Sequence, residues 1–423
     1  MTGSGDAAPE AQGSRRLPLE GIRVLELGSY IAAPTAGRLL ADFGAEVIKV
    51  ERHTGDELRN WRLYAGETSM LFRTLNRNKK SITLDLRTDE GREDVKALAR
   101  HCDVIVENFR PGTLEKWGIG PADLSDVNPD LVFVRISAFG QTGPYSERPG
   151  FAAVAEAYGG FRELIGDPDR APVRTGVSIG DSIAGLYGAF GAVMALYEGL
   201  RRRDEAAGSG AGPLPLQDRI VDVALHEAIF SMMESLVPDL GAYGVRRERT
   251  GGRVQGISPS NAYVCGDGLS VVISGNNDAI FARYMRAIGR DDLAGDPGLA
   301  DNDGRWNRRD EVDDAIGAWT AGRSREEVLA VMEEAGVPAG PIYTAADIVD
   351  DPQYQARNMI QEFDVDAGAP GPTRVGFPGV VPVLGGTSLP IRWLGPDLGE
   401  HDDEIRRRFL ASRETGTGEG ERS

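Results

Sequence analysis

The sequence predicts an α/β fold, in which a parallel sheet covered by helices is accompanied by a smaller α+β domain. Two observations lead there. Short apolar runs alternate with helix-like runs from Ile22 to Ile136, and strand-helix alternation of this kind closes as a parallel sheet with helices packed over it. A charged and then Gly/Pro-rich stretch, Arg201 to Gln217, breaks the pattern before a differently organised region begins. The length of 423 residues accommodates both parts, since single cores rarely grow past about 250 to 300 residues.

Ile22 to Leu27 reads as a buried strand, followed by Gly28, Ser29 and a helix from Pro34 to Phe43. Ala45 to Val50 and Ser81 to Leu86 read as further strands, Glu90 to Arg100 as a helix, and Val104 to Val106 as a strand. Leu114 to Trp117 is a short helix and Leu131 to Ile136 a strand. Past the linker-like stretch, Val221 to Leu236 reads as an apolar helix, and Ala262 to Val264 and Leu269 to Ser274 as strands around Gly266-Asp267-Gly268. Helices follow at Ala279 to Ile288, Arg309 to Thr320 and Arg325 to Ala335. The resulting division is a tail over 1–16, a large domain over 17–200, a linker over 201–220, a small domain over 221–340, a return to the large domain over 341–410 and a second tail over 411–423.

A formal net charge of −18 argues against nucleic-acid binding, because an acidic field repels phosphate backbones. Two cysteines, Cys102 and Cys265, are too few for a disulfide framework and lack metal-site spacing. A reducing cytoplasm is the expected location. Met1 to Arg16 has no apolar core of a signal peptide, and Ile183 to Leu200 is the nearest approach to a membrane span, interrupted by Gly, Tyr and Glu. No membrane and no metal is expected.

In parallel sheets ligands collect at the carboxyl ends of strands. The segments to watch are therefore Gly28 to Pro34, Glu51 to Asp56, Asp85 to Thr88, Glu107 to Gly112 and Ser137 to Pro144. None contains GxGxxG, so a Rossmann-like sheet here does not imply a nicotinamide dinucleotide. In Thr175 to Gly191, TGVSIGDSIAGLYGAFG, a Gly-Asp-Ser turn precedes a long apolar helix. That puts Asp181 at the helix N-terminus, where unpaired N–H groups and the helix dipole favour a negative charge. A plain helix cap has the same local pattern.

Four segments occur in an order that resembles class III CoA-transferases: GIRVLELGSYIAAPTAGRLLADFGAEVIKVER from Gly21, NRNKKSITLDL from Asn76, VENFRPG from Val106 and the Gly-Asp-Ser helix. The resemblance runs from Leu17 to about Leu398 and takes in the formyl-CoA, carnitine and bile-acid CoA-transferases. It implies a Rossmann-like large domain, a smaller second domain and two identical subunits interlocked like chain links. It also implies that Asp181 attacks an acyl-CoA and passes through an aspartyl-CoA thioester. The substrates implied are an acyl-CoA and a carboxylic acid, with coenzyme A as part of the substrate and no permanently bound cofactor. Positions matching the family's CoA contacts are Ile31, Ala32, Arg52, Leu84, Arg87, Asn108, Phe109, Arg110, Lys116 and Phe151. Gly251, Gly252 and Arg253 match a glycine-containing lid over the acyl site.

The chain departs from the family in two places. Ala152 stands where many members carry an acidic residue, which implies a less polar acyl pocket there, and Ile31 where formyl-CoA transferases carry Gln, which points away from formyl transfer. The breadth of the family and a candidate arginine at the lid favour a succinyl-CoA-type donor with a small dicarboxylate acceptor. Arg249 or Arg253 is a candidate partner for the far carboxylate. The alternatives are an α-methylacyl-CoA racemase and a CoA-binding protein without catalysis. The racemase His would fall near Phe151, and none of His53, His101, His226 and His401 lies there.

Overall fold

A computed structural model describes residues 16–209, 212–386 and 388–411. The tails expected at 1–16 and 411–423 lie, apart from Arg16 and Ala411, outside the described residues. The chain divides into two units, one formed by 1–156, 177–231 and 355–423, the other by 157–176 and 232–354.

In the first unit the strands are β1 (Arg23–Glu26), β2 (Glu46–Glu51), β3 (Lys79–Thr83), β4 (Val104–Glu107), β5 (Val132–Ser137) and β6 (Ile220–Ala224). They form one sheet in the order β3-β2-β1-β4-β5-β6, every neighbouring pair parallel. This is the doubly wound order of Rossmann-like sheets. Successive strand residues serve opposite faces, as the two-residue period requires. Val24, Val47, Val104 and Val134 join the core under helices α1 (Ala32–Asp42) and α5 (Ile179–Ser209). Leu25, Ile48, Ile105 and Phe133 join the opposite core with α2 (Asp89–Ala99) and the C-terminal Ile405 and Phe409. The remaining helices of this unit that bear on the site are α3 (Thr113–Lys116), α4 (Ala152–Tyr158) and α6 (Leu225–Phe230).

The structure differs from the sequence reading in several places, among them the return to the first unit, which comes at 355 rather than 341, and β3, which spans Lys79–Thr83 rather than Ser81–Leu86. Residues 201–209 continue α5 rather than starting a linker: Arg, Glu and Ala sustain a helix, and Arg201 pairs with Glu198 and Glu205 one turn to either side. The apolar run at Val221 is not helical from its start. Ile220–Ala224 forms β6 on the edge of the sheet beside β5 before α6 begins, an ambiguity that a short β-branched run leaves open until it finds a ladder partner. The unit boundary follows from that pairing, so 221–231 stays with the sheet rather than with the smaller unit. The smaller unit instead recruits 157–176, where Gly251 N–H donates to Gly166 O at 3.1 Å, and a Cβ on Gly160 would stand 3.0 Å from Leu236.

The second unit has its own core, including Val271, Ile273, Phe281, Tyr284, Val312, Ile316 and Val328. These come from strands β7 (Ser260–Val264) and β8 (Ser270–Ser274) and helices α7 (Asp278–Ala287), α8 (Arg309–Thr320) and α9 (Arg325–Glu334). One helix among the described residues, α5 over Ile179–Glu205, is long and apolar enough to cross a membrane. Its Ala184, Ala189, Ala192 and Ala195 lie in the core beneath the sheet. Both cysteines are buried free thiols.

Glu46, at the start of β2, ties three strands to the C-terminal helix: it accepts from Arg23 at 2.8 Å, Lys80 at 3.1 Å and Arg408 at 2.5 Å. Partial burial pushes its carboxyl up, but these bonds outweigh burial and hold it down to about 2, from 4.5. The folded state therefore binds this proton less readily than the unfolded chain, and the stabilisation is lost as pH falls from 4.5 toward 2. Thermal unfolding followed between pH 6 and pH 3 is expected to show a steeper loss of Tm for the wild type than for Glu46→Gln; parallel curves would contradict this.

Candidate active site

In the sheet order, β1 and β4 are neighbours whose connections leave in opposite directions, so the loops after them part and open a crevice. Asn108 bridges that crevice. Its Oδ1 accepts the Ser29 N–H at 2.9 Å and its Nδ2 donates to Ser29 O at 2.8 Å. The approach is close enough that a Cβ on Gly28 would sit 2.7 Å from Asn108 Oδ1 and 2.3 Å from Ala33 Cβ, which is why a glycine stands there.

Tyr30 follows with φ +64°, a conformation costly for a non-glycine residue and common at functional loops. Its N–H is held by Asp56 Oδ1 at 3.1 Å, and Asp56 also accepts the Leu58 N–H at 2.9 Å. Asp56 is paired at 2.9 Å with Lys49, whose Nζ reaches Glu26 at 3.1 Å and Gly28 O at 2.9 Å. Burial alone would raise the Asp56 carboxyl, but Lys49 and the two N–H groups reverse this and keep it ionised. For Lys49, burial favours the neutral amine, and the surrounding Asp56, Glu26 and Glu51 override that and hold the cation. Glu51 is bound by Arg59 through both oxygens, at 2.7 and 2.6 Å.

Above this buried charge layer lies a cavity of ≈ 340 Å³ at the carboxyl ends of β1, β2 and β3. Arg52, Leu84, Arg87 and Phe109, four of the anticipated CoA contacts, line it. Leu84 is buried, and the Phe109 ring meets Trp117 edge-on at 5.4 Å. Phe109 N–H donates to Glu107 at 2.7 Å, and Glu107 is fixed by Arg135 at the same distance. Asn108 acts on the cavity through Ser29. Arg110 and Lys116 are exposed on the following turn and do not line it. Tyr30, Lys49, Asp56 and Trp117 do line it; Tyr30 and Asp56 fall in the strand-end segments flagged from the sequence without being singled out, and Lys49 and Trp117 lie outside them. The usable signals were a lysine inside the apolar run AEVIKV and an aspartate just past the same strand.

Asp181 lies in the first turn of α5, as the Gly-Asp-Ser pattern predicts. One helical turn on, Gly185 comes so close to the start of α1 that a Cβ would stand 2.7 Å from Ala32 O and 2.6 Å from Thr35 Cβ. Residues four apart share a helix face, so Asp181 stands on the face of α5 that meets the N-terminal end of α1, where Ile31 and Ala32 lie. Phe151 comes to the same loop from another direction, its exposed ring 6.0 Å from Tyr30. The N-terminus of α5 thus offers a carboxylate together with backbone N–H groups that favour negative charge.

In the second unit, both cations of the anticipated lid already have partners. Arg253 is bonded to Asp313 at 2.6 Å and paired with Asp310 at 2.8 Å, and Arg249 meets Glu163 at 2.9 Å. Either would have to leave a carboxylate before taking one from a substrate. Gly251 and Gly252 flank that segment, Gly251 at φ +67°. His226 Nδ1 lies 3.2 Å from Ala138 O and its ring 5.4 Å from Phe139, a packing environment. Among the described residues no group of three His, Cys, Asp or Glu side chains is arranged to hold a metal.

Comparison with known proteins gives a consistent picture. A family described as CoA-transferase family III matches residues 19–402. The chain is 45% identical over 401 residues to a succinyl-CoA–D-citramalate CoA-transferase of Chloroflexus aurantiacus, covering 94% of this chain and 95% of that protein. It is 39% identical over 398 residues to the beta subunit of a succinyl-CoA–L-malate CoA-transferase of the same organism, covering 93% and 94%. Among solved structures, a CaiB/BaiF family protein from Brucella suis superposes with a TM-score of 0.79 at 34% identity, covering 93% of this chain and 100% of that one.

Proposed function

Because the chain belongs to CoA-transferase family III, we propose that this enzyme takes CoA from succinyl-CoA and delivers it to a small dicarboxylate or hydroxy-dicarboxylate, using Asp181 as nucleophile. The observation that carries the reading is Asp181 in the first turn of α5, one turn from the contact of Gly185 with Ala32. Similarity to transferases acting on citramalate and malate supports the choice of substrates.

The chemistry divides one difficult exchange into four acyl transfers. A carboxylate oxygen of Asp181 attacks the thioester carbonyl, the C–S bond breaks, and CoA leaves as the thiolate, giving a mixed anhydride. The thiolate attacks the Asp181 carbonyl carbon, the donor acid leaves as its carboxylate, and Asp181 carries CoA as a thioester. The acceptor carboxylate attacks that thioester and releases the thiolate again. The thiolate then takes the acceptor's acyl carbon and frees Asp181. No net proton or electron is exchanged. Tetrahedral oxyanions along the path call for aimed N–H donors, which the start of α5 supplies. Arg52, Arg87 and the Asn108–Gly112 turn are assigned to the CoA phosphates and pantetheine, with Ile31, Ala32 and Phe151 beside the thioester.

The paired state of Arg249 and Arg253 leaves the acceptor's second carboxylate without an assigned cation. For the homodimer that the family resemblance implies, the exposed stripe Leu186, Phe190, Met194 and Tyr197 on α5 is the face offered to a second copy.

The test is an exchange assay with succinyl-CoA and a panel of C4 to C6 dicarboxylates, read as new acyl-CoA by chromatography. Acyl-CoA formation from citramalate or malate is the expected result. Exchange of the α-hydrogen of a 2-methylacyl-CoA for deuterium, with no CoA transfer, would favour the racemase alternative.

A further inference from the structure

The wall of the ≈ 340 Å³ cavity carries three cations, Lys49, Arg52 and Arg87, and four carboxylates, Glu51, Asp56, Glu57 and Asp85. Each cation is already matched. Lys49 is held by Asp56 and Glu26 and is 1% exposed, so it is locked below the surface. Arg87 forms a two-pronged pair with Asp85 at 2.9 and 3.0 Å, and its own N–H also binds Asp85 at 3.0 Å. That carboxylate is thereby part of the turn. Arg52 is paired with Glu57 across the mouth, with side chains 51% and 40% exposed. Among the described residues Glu57 has no other cation as partner. It sits on a flexible stem at the start of the Glu57–Asn60 turn.

A polyanion entering this cavity meets a wall that is net negative by formal count, three positive charges against four negative. Arg52 meets one Glu57 oxygen through Nη2, and its Nε donates to Gly55 O at 3.0 Å, so a phosphate that grips Arg52 through Nη2 competes with Glu57 for it. Lys49 is locked and Asp85 is bonded into its turn, so the Arg52–Glu57 pair is the exchange that costs least.

We infer that Glu57 is an affinity-setting residue for CoA: it occupies Arg52 in the empty site, yields it to a phosphate of CoA, and so weakens the hold on CoA. The inference rests on the assignment of Arg52 to a CoA phosphate. An exchange enzyme gains from this arrangement because the newly formed CoA thioester must leave before the next donor can bind.

The test measures the Kd for free CoA by titration calorimetry at low salt, for the wild type, Glu57→Gln, Arg52→Met and the double variant. Glu57→Gln is expected to tighten CoA by about 1.5- to five-fold, the range set by releasing one exposed ion pair. The gain should shrink as salt is raised and be absent in the Arg52→Met background. Because both side chains are exposed, the melting temperatures should stay close to wild type, so the readout is binding alone. An unchanged or weaker Kd in Glu57→Gln, with Arg52→Met clearly weakened, overturns the role of Glu57 and leaves Arg52 as a phosphate contact. A wild-type Kd in Arg52→Met removes the assignment of Arg52 itself, and the proposal with it. A gain that persists in the double variant also overturns it, since Glu57 would then act by general repulsion.

Discussion

Asp181→Ala is expected to lower kcat by about a thousand-fold or more, since removing a covalent nucleophile leaves only binding and oxyanion stabilisation. The loss should appear in kcat, with the Kd for CoA unchanged, because the cavity proposed for the nucleotide end of CoA is lined by residues of other elements. Alanine sustains the helix, and the lost interaction of the carboxylate with the helix N-terminus should cost about 0.3–1 kcal/mol of stability. Intact-protein mass spectrometry after incubation with succinyl-CoA, with hydroxylamine trapping, reads the mechanism directly. Before trapping, the wild type should gain a CoA-sized adduct, hydroxylamine should release the CoA and leave a hydroxamate that maps to Asp181, and the variant should show neither. Near-normal turnover by the variant would sink the assignment. A wild type that binds CoA and never forms the adduct would point to a binding protein.

Asp56→Ala should cost the fold itself about 3–5 kcal/mol, the range for removing one partner of a buried ion pair. Asp56 is 4% exposed and answers to Lys49 and to two N–H groups. Without it Lys49 keeps Glu26 as its only close ion-pair partner among the described residues, shared with Lys79, which reaches Glu26 at 2.7 Å. The variant also frees Tyr30 from its left-handed conformation, so the loop into α1 relaxes and CoA should bind more weakly. Asp56→Asn, which retains an acceptor for the Tyr30 and Leu58 N–H groups, should fall between the two in CoA affinity. Urea unfolding gives the first quantity and CoA titration the second. A stability within about 1 kcal/mol of wild type for Asp56→Ala would mean that water or another group replaces the carboxylate, contrary to the burial of the site.

The pairing of Arg253 bears on how far a local pattern can be read. Two cations beside glycines resemble a lid ready for a carboxylate, yet Asp310 and Asp313 on α8 hold one and Glu163 the other. Those carboxylates lie about 60 and 86 residues away in sequence, where no pattern near the arginines reports them.

What the sequence determined by itself was local or carried in ordered motifs. Five of the six sheet strands are legible as short runs rich in apolar residues, because a strand covered on both faces is largely apolar, although β3 begins two residues before the run read from Ser81 and carries Lys79 and Lys80. The crevice follows from strand ends, and Asp181 at the start of α5 follows from Gly-Asp-Ser ahead of an apolar helix. The tertiary structure alone decided the sixth strand, which is β only because β5 offers it a ladder, and with it the allocation of 221–231 and 157–176 to their units. It alone decided the charge layer of Glu26, Lys49, Asp56 and Arg59 beneath the cavity. A buried ion is tolerable only if its partner arrives from elsewhere in the chain, and that arrival is a property of the assembled sheet rather than of any segment within it.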